Sequence, residues 1–204
     1  MARRGAEVEA GAGSERDERG RLFVALELPA SVQAALAAWA VAVAGGEPAQ
    51  LRALAPAALH ITLCFLGGRP LREVGAIGDV LAEPLARAGA PLLAAGVPLW
   101  LPARGPRVLA LELEDVDGTL RSLQLSVSGA LERLGVYRRE QRPYLPHVTL
   151  ARVRGGARIR RDAIRLPPLP ALERWRGESV ALFRSRLAPG GARYEPLWRA
   201  TLGL

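Results

Sequence analysis

The sequence predicts an α+β protein of two pseudo-symmetric lobes, each an antiparallel sheet with outer helices, arranged around a central cleft. Three observations lead there. Both histidines of this 204-residue chain occupy the same four-residue frame, His60-Ile61-Thr62-Leu63 and His147-Val148-Thr149-Leu150. Polar and apolar residues alternate within each frame, the period of a strand with one buried face. The same order of elements, strand then helix then motif strand, surrounds each copy and points to an internal duplication.

The elements follow in order. Residues 21–28 read as a buried strand that Pro29 stops. Ser31 is placed to cap the next helix, which Gly45-Gly46 end near Ala44. A loop holding Pro48 and Pro56 leads into the first motif strand, residues 59–66, closed by Gly67-Gly68. Residues 71–88 have helical character, with Pro84 as a kink or break. Residues 92–101 contain strand-like stretches, and 107–113 form a clear strand. Between Gly118 and Gly135, the residues Leu120, Leu123, Leu125, Val127, Leu131 and Leu134 recur at amphipathic helical spacing. An extended stretch, 141–146, runs into the second motif strand at 146–153. Gly155-Gly156 and a polar, Pro-rich connector come next, then strands over 180–186 and 194–202.

Bulk properties set the bounds. The chain is 50% hydrophobic and 24% charged, the balance of a soluble globular protein. Its length suffices for one well-buried domain or two lobes sharing a core. The net charge of +8 comes from arginine alone, because no lysine occurs. Alongside abundant Ala, Gly, Leu and Pro this is a compositional bias, so the charge permits a polyanionic partner without arguing strongly for one. The single cysteine, Cys64, excludes an internal disulfide and a cysteine-based metal cluster, and fits a reducing, cytoplasmic setting. Alternation puts Cys64 on the side of His60 and Thr62, as a free thiol near the cleft; a plain strand residue is the commoner role. The apolar run at 30–45 is too short for a membrane span of ~20 residues and carries Gln33. Residues 1–20, rich in Arg, Glu, Gly and Ala, are expected to be a disordered extension before a folded unit at 21–204.

On a strand, the His and Thr of each frame share one face. Two such strands supply two imidazoles and two hydroxyls, a complete acid/base set for a phosphate ester without a metal. An imidazole titrates at about pH 6.5, so one can accept a proton while the other donates one. Structural histidines and a nucleotide- or RNA-binding module without turnover remain open on the residues alone. A His/His zinc site lacks a third ligand at a recognisable spacing, and no His-Glu-x-x-His occurs.

The paired motifs, with their Phe65-Leu66-Gly67 and Pro146-His147…Ala151-Arg152 contexts, resemble those of the 2H phosphoesterase superfamily. Within it they are most similar to the bacterial and archaeal RNA 2′,3′-cyclic phosphodiesterases, the LigT-like group once called 2′-5′ RNA ligases. The likeness covers nearly all of the chain after residue 20: the opening Arg21-Leu22-Phe23-Val24-Ala25-Leu26, both motif strands, and a closing segment from Ser185 to Tyr194 with Pro189-Gly190-Gly191 inside it. It departs from the family at Arg52-Ala53-Leu54, where an aromatic is usual, and at Leu145, where a basic residue is common.

The resemblance implies the 2H phosphoesterase fold and hydrolysis of a terminal RNA 2′,3′-cyclic phosphate to a 2′-phosphomonoester, with 2′-5′ ligation as the reverse reaction. It implies His60 as proton donor, His147 as proton acceptor, and Thr62, Thr149 and Arg152 as phosphate ligands. Strict alternation would put Arg152 on the face opposite His147, so a twist, a bulge or its length must bring it round. Arg52 and Arg142 are weaker candidates for backbone phosphates. Tyr144 and Trp100 are candidates for base stacking, with packing the commoner role. No cofactor and no metal are expected. The expected partner is RNA with a 2′,3′-cyclic phosphate end, tRNA fragments included, or a small cyclic nucleotide or 2′-5′ oligonucleotide. A monomer away from any membrane is the expected form.

Overall fold

A computed structural model describes residues 18–47, 49–155, 157, 159–161, 164–188 and 191–203. The chain runs through β1 (Arg19–Glu27), α1 (Ala30–Gly46), β2 (Leu51–Ala53), β3 (His60–Pro70), α2 (Val74–Ala86), β4 (Leu92–Leu101), β5 (Val108–Asp115), α3 (Thr119–Arg133), β6 (His147–Val153), β7 (Trp175–Arg176), β8 (Ser179–Ala188) and β9 (Gly191–Thr201). Nine strands make one antiparallel sheet in the order β7-β4-β5-β6-β3-β1-β8-β9, with β2 also paired to β6. The α+β class, the antiparallel pairing and the pseudo-symmetric halves are as the sequence predicts. The lobes, however, do not face each other as separate sheets. The two motif strands are neighbours, paired at Ile61↔Val148, and the sheet is continuous through them.

One face of the sheet carries the helices. Leu22, Val24 and Leu26 of β1, Ile61 of β3, Leu109 and Leu111 of β5 and Val148 of β6 are fully buried there. They share a single core with Leu36 and Trp39 of α1, Ile77 and Leu81 of α2, and Leu123 and Val127 of α3. The opposite face holds a small apolar group, Phe23, Ala25, Ala181 and Phe183. Strand β1 is therefore buried on both faces, which is why its sequence reads as an unbroken apolar run.

Helix α3 has defined ends. Asp115 accepts from the backbone N–H of Leu120 at 3.1 Å and of Arg121 at 2.9 Å, and Asp117 accepts from Thr119 N–H at 3.0 Å. These carboxylates meet donors that the first turn leaves unpaired. At the other end Val136 N–H donates to the Leu131 carbonyl and Gly135 N–H to that of Glu132. Gly135, at φ +77°, supplies the left-handed residue this closure needs. Helix α1 starts differently from the expectation. Pro29 holds the cap position, and no side chain, Ser31 included, caps it.

Other boundaries move for physical reasons. Arg19 and Gly20 already pair with Pro70 and Arg69, Leu71 N–H donates to the Glu18 carbonyl, and Glu18 pairs with Arg184. Residues 19 and 20, placed in the extension by sequence, thus belong to the sheet, and Glu18 is tied to it; residues 1–17 lie outside the described residues. Strand β3 does not stop at Gly67-Gly68 but runs to Pro70, with Gly67 at φ +72°. Pro84 lies within the last turn of α2, so the bond its missing N–H would give to the Val80 carbonyl is lost only at the helix end. The Pro-rich connector is pinned by Trp39, whose indole N–H donates to the carbonyls of Pro167 and Pro168 at 3.1 Å. Pro48, Gly156, Pro189 and Gly190 of the expected loops lie outside the described residues. No helix among the described residues is long and apolar enough to cross a membrane.

Because Asp115 serves two N-terminal donors of α3, Asp115→Ala should destabilise the fold by ~1–2 kcal/mol. In thermal unfolding this should appear as a fall in Tm of roughly 2–8 °C; an unshifted Tm would contradict the capping role.

Candidate active site

The site lies on the sheet face opposite the helices, and a repeated irregularity builds it. In β3 the pairing with β1 jumps from Val24↔Cys64 to Ala25↔Thr62, leaving Leu63 as an extra residue. In β6 the pairing with β5 jumps from Leu109↔Ala151 to Ala110↔Thr149, leaving Leu150 extra. Each is a β-bulge at the fourth residue of the motif, and each reverses the phase of the strand beyond it. Leu63 and Cys64 are both buried, as are Leu150 and Ala151. The next residues, Phe65 and Arg152, then emerge on the face of His60 and His147. The bulge is what brings Arg152 round. It also turns Cys64 into the core, correcting its expected place by the cleft. Burial pushes the Cys64 thiol up to about 12, so it stays protonated.

The two histidines are held alike. Nδ1–H of His60 donates to the Ala58 carbonyl at 2.9 Å, and Nδ1–H of His147 donates to the Leu145 carbonyl at 2.8 Å. A carbonyl only accepts, so each neutral ring carries its proton on Nδ1 and keeps Nε2 for the site. Ile61↔Val148 is the one rung the two motif strands share, with His60 and Thr62 flanking it on β3 and His147 and Thr149 on β6. Both imidazoles therefore lie one residue from the same rung, and their residues line adjoining cavities.

Their surroundings differ. His60 stacks on Phe23, with ring centres 4.8 Å apart, and meets the edge of Tyr194 at 5.0 Å. Burial depresses its pKa to about 4; the Ala58 hydrogen bond opposes this, while the charges of Arg152 and His147 add to it. His60 opens on a cavity of about 300 Å³ with Thr62, Phe65, Arg21, Arg52, Arg152 and Tyr194 in its wall. His147 opens on an adjoining cavity of about 600 Å³, bounded by Thr62, Phe65, Leu125, Tyr137, Arg142 and Tyr144 among others. Thr62 and Phe65 belong to both walls, so the two histidines address one divide from its two sides. The larger cavity exists because β3 and β6 splay beyond their shared rung. Tyr144 bridges the splay, its hydroxyl donating to the Thr62 carbonyl at 3.2 Å.

Of the residues singled out by sequence, His60, Thr62 and Arg152 share one cavity and His147 shares the other with Thr62, while Thr149, paired with Ala110 of β5, lines neither. Arg142 lies on the wall of the larger cavity. Trp100 packs against the core instead of lining the site. The structure adds Phe65, 45% exposed with the Arg21 guanidinium 5.4 Å over its ring, and Tyr194, which accepts from Arg152 at 3.4 Å. Phe65 could have been found from its position, since it follows His60 at the same offset as Arg152 follows His147. Among the described residues no group of three or more His, Cys, Asp or Glu side chains is placed to hold a metal ion.

Comparison with known proteins agrees with this geometry. An RNA 2′,3′-cyclic phosphodiesterase from Thermus thermophilus is 35% identical over 193 residues, covering 89% of this chain and 90% of its own length. A protein of the same name from Escherichia coli is 29% identical over 182 residues, covering 89% and 96%. The crystal structure of E. coli LigT complexed with 3′-AMP superposes with a TM-score of 0.70 at 29% identity, over 91% of this chain and 99% of that one. No family model matches. With identity of this level across nine-tenths of both chains, and paired His-x-Thr-Leu strands on one antiparallel sheet, the chain belongs to the RNA 2′,3′-cyclic phosphodiesterase family of 2H phosphoesterases.

Proposed function

We propose that this chain hydrolyses the 2′,3′-cyclic phosphate at an RNA end to a 2′-phosphomonoester, with its two histidines as the acid and the base. What supports this is that each ring is fixed through Nδ1 by a backbone carbonyl, which leaves Nε2 for proton transfer, and that the two histidines line adjoining cavities sharing Thr62 and Phe65. His147 takes a proton from water as its oxygen attacks phosphorus. The P–O3′ bond breaks, and His60 delivers a proton to the leaving 3′ oxygen. Thr62, Thr149 and Arg152 hold the non-bridging oxygens and offset the charge that grows on them. Phe65, exposed beside the divide, offers a face on which a terminal base can stack. No step calls for a metal. Reversal of the same steps, with a 5′-hydroxyl in place of water, would join ends through a 2′-5′ linkage. Water's abundance makes that the minor direction.

The depressed pKa of His60 bears on its role as donor. An empty site leaves this imidazole neutral near pH 7. A bound phosphodiester places a negative charge beside it, which favours the protonated form. Arg152 helps draw that anion in, although its own charge opposes protonation of the ring. A donor held this way gains its proton as substrate arrives.

Three outcomes follow. His147→Ala should lower turnover of a cyclic-phosphate dinucleotide by ~10²–10⁴-fold, with affinity for the 2′-phosphorylated product little changed. A non-catalytic binding module would instead show no turnover in the unaltered chain. Activity should survive exhaustive EDTA treatment; an absolute requirement for added divalent ion would contradict the scheme. The pH profile of kcat/KM reports the free protein, and a donor is lost as pH rises through its pKa; with His60 held to about 4, only a minority of the free protein carries the donor's proton near neutral pH, and one of the two limbs of the bell should lie near pH 4. In kcat, which reports the complex, that limb should move upward. An acid limb of kcat/KM at or above 6.5 would show that His60 is not desolvated as the packing requires.

A further inference from the structure

The strand beside each histidine carries a glutamate at the equivalent place. Glu27 of β1 pairs with His60, and Glu112 of β5 pairs with His147. Directly paired residues of antiparallel strands send their side chains to one face, close together. Each carboxylate therefore stands beside an imidazole on the open face of the sheet. What surrounds the two carboxylates differs. Glu27 accepts from Ser179 at 2.8 Å and from Arg199 at 2.7 and 2.9 Å, so its charge is matched. Among the described residues, no hydrogen bond or ion pair holds the half-buried carboxylate of Glu112.

Strand β4 keeps that carboxylate without a partner. Between Ala95↔Leu113 and Pro98↔Leu111, two residues of β4, Gly96 and Val97, stand opposite Glu112 alone. Gly96 packs against it: a Cβ there would fall 2.9 Å from the Glu112 carbonyl oxygen and 3.6 Å from the Glu112 Cβ. The bulge thus sets a residue with no side chain against Glu112, while the apolar Val97 is 61% exposed. Where β8 and β9 bring Ser179 and Arg199 to Glu27, β4 offers Glu112 no side-chain donor. His147 is the polar neighbour that the ladder leaves to it.

The other charges around His147 are mainly positive. Arg121 of α3 and Arg139 and Arg142 of the loop before β6 lie in the wall of its cavity, with Glu140 the one carboxylate among the residues of that wall. His60 and His147 also repel each other when both are protonated. A base that takes a proton here becomes a cation among cations. We propose that Glu112 is a positioning residue for His147, whose carboxylate stabilises the imidazolium formed as the ring takes a proton from water. The proton passes to Nε2 while the water oxygen bonds to phosphorus, and Glu112 stays ionised throughout. It acts through space, since Nδ1 of the ring is already bonded to the Leu145 carbonyl. An opposite charge nearby favours the charged form of an imidazole. The inference rests on the phosphodiesterase reading and adds what separates base from acid within it: an unmatched carboxylate beside His147, a matched one beside His60.

The test compares the unaltered chain with Glu112→Gln, Glu112→Asp and Glu114→Gln on a nucleoside 2′,3′-cyclic phosphate. Glu114 is exposed two residues along β5, so its variant removes the same charge away from His147. At the pH optimum, Glu112→Gln should lose about 3- to 10-fold in kcat with KM little changed, and Glu112→Asp should recover part of that loss. In kcat/KM, the limb that does not belong to His60 should move to lower pH in Glu112→Gln, because the imidazolium has lost its counter-charge. Glu114→Gln should resemble the unaltered chain. An unchanged or raised kcat in Glu112→Gln would overturn the proposal, as would an equal loss in Glu114→Gln or a limb that stays in place. If the unaltered chain shows no turnover, the phosphodiesterase reading fails, and the titration of His147 followed by NMR decides the inference. Its midpoint should fall in Glu112→Gln; equal midpoints in the two proteins would overturn the proposal.

Discussion

The site depends on one register, that of β3 against β6. Ile61 and Val148 meet at the rung where the two halves of the sheet join, and both are fully buried on the helical side. Alternation then sends His60, Thr62, His147 and Thr149 to the other face. A slip of one residue would bury all four and expose the apolar set. The flanking ladders prevent it, since Leu26 pairs with Ile61 and Leu111 with Val148. Beyond the rung the strands splay, which would strand backbone carbonyls in a half-buried gap. Tyr144 donates to that of Thr62 and Gln124 to that of Leu63, so the opening that becomes a cavity leaves these two acceptors paired.

Much of this was legible in the residues. Matched His-x-Thr-Leu frames, strict alternation and the order of elements give the class, the halves and the face that carries both histidines. The bulges were not legible from alternation, because alternation assumes that every residue advances the phase. Their trace is present all the same. Leu63-Cys64 and Leu150-Ala151 are consecutive apolar pairs just after each threonine, and a strand with one wet face has no use for such a pair unless its phase changes there. Leu125 shows the opposite error. It fits the apolar spacing of α3, yet it is 53% exposed on the cavity wall, and Gln124 takes the buried position to reach the Leu63 carbonyl. Strands β2 and β7 are too short for any period to show; tertiary pairing alone makes them strands.

The duplication also reaches further than the histidine motifs suggest. Ala25-Leu26-Glu27-Leu28 recurs as Ala110-Leu111-Glu112-Leu113. In β1 and β5 these repeats occupy equivalent places, pairing Glu27 with His60 and Glu112 with His147. The two halves thus share the motif strand, its bulge and the strand beside it. Glu27 is occupied elsewhere, accepting from Ser179 and from both arms of the Arg199 guanidinium. Its carboxylate braces β1, β8 and β9 together beside His60, with its charge already matched.

Shared geometry alone would make the two histidines interchangeable, and acid/base chemistry requires that they differ. The difference comes from what each half packs around an identical frame. His60 lies against Phe23 and Tyr194 and loses its solvent; His147 faces the wider cavity where the strands splay. The equivalent residues after the bulges differ as well, an aromatic in Phe65 and a cation in Arg152. Arg152 sits near enough to press on His60 and, through Tyr194, is tied to the same aromatic wall. In the proposed mechanism, a phosphate drawn to that guanidinium would arrive beside the desolvated imidazole of His60 and supply the negative charge that favours its protonation. Substrate binding and the making of the acid would then be one event, and the repeated frame would acquire a direction.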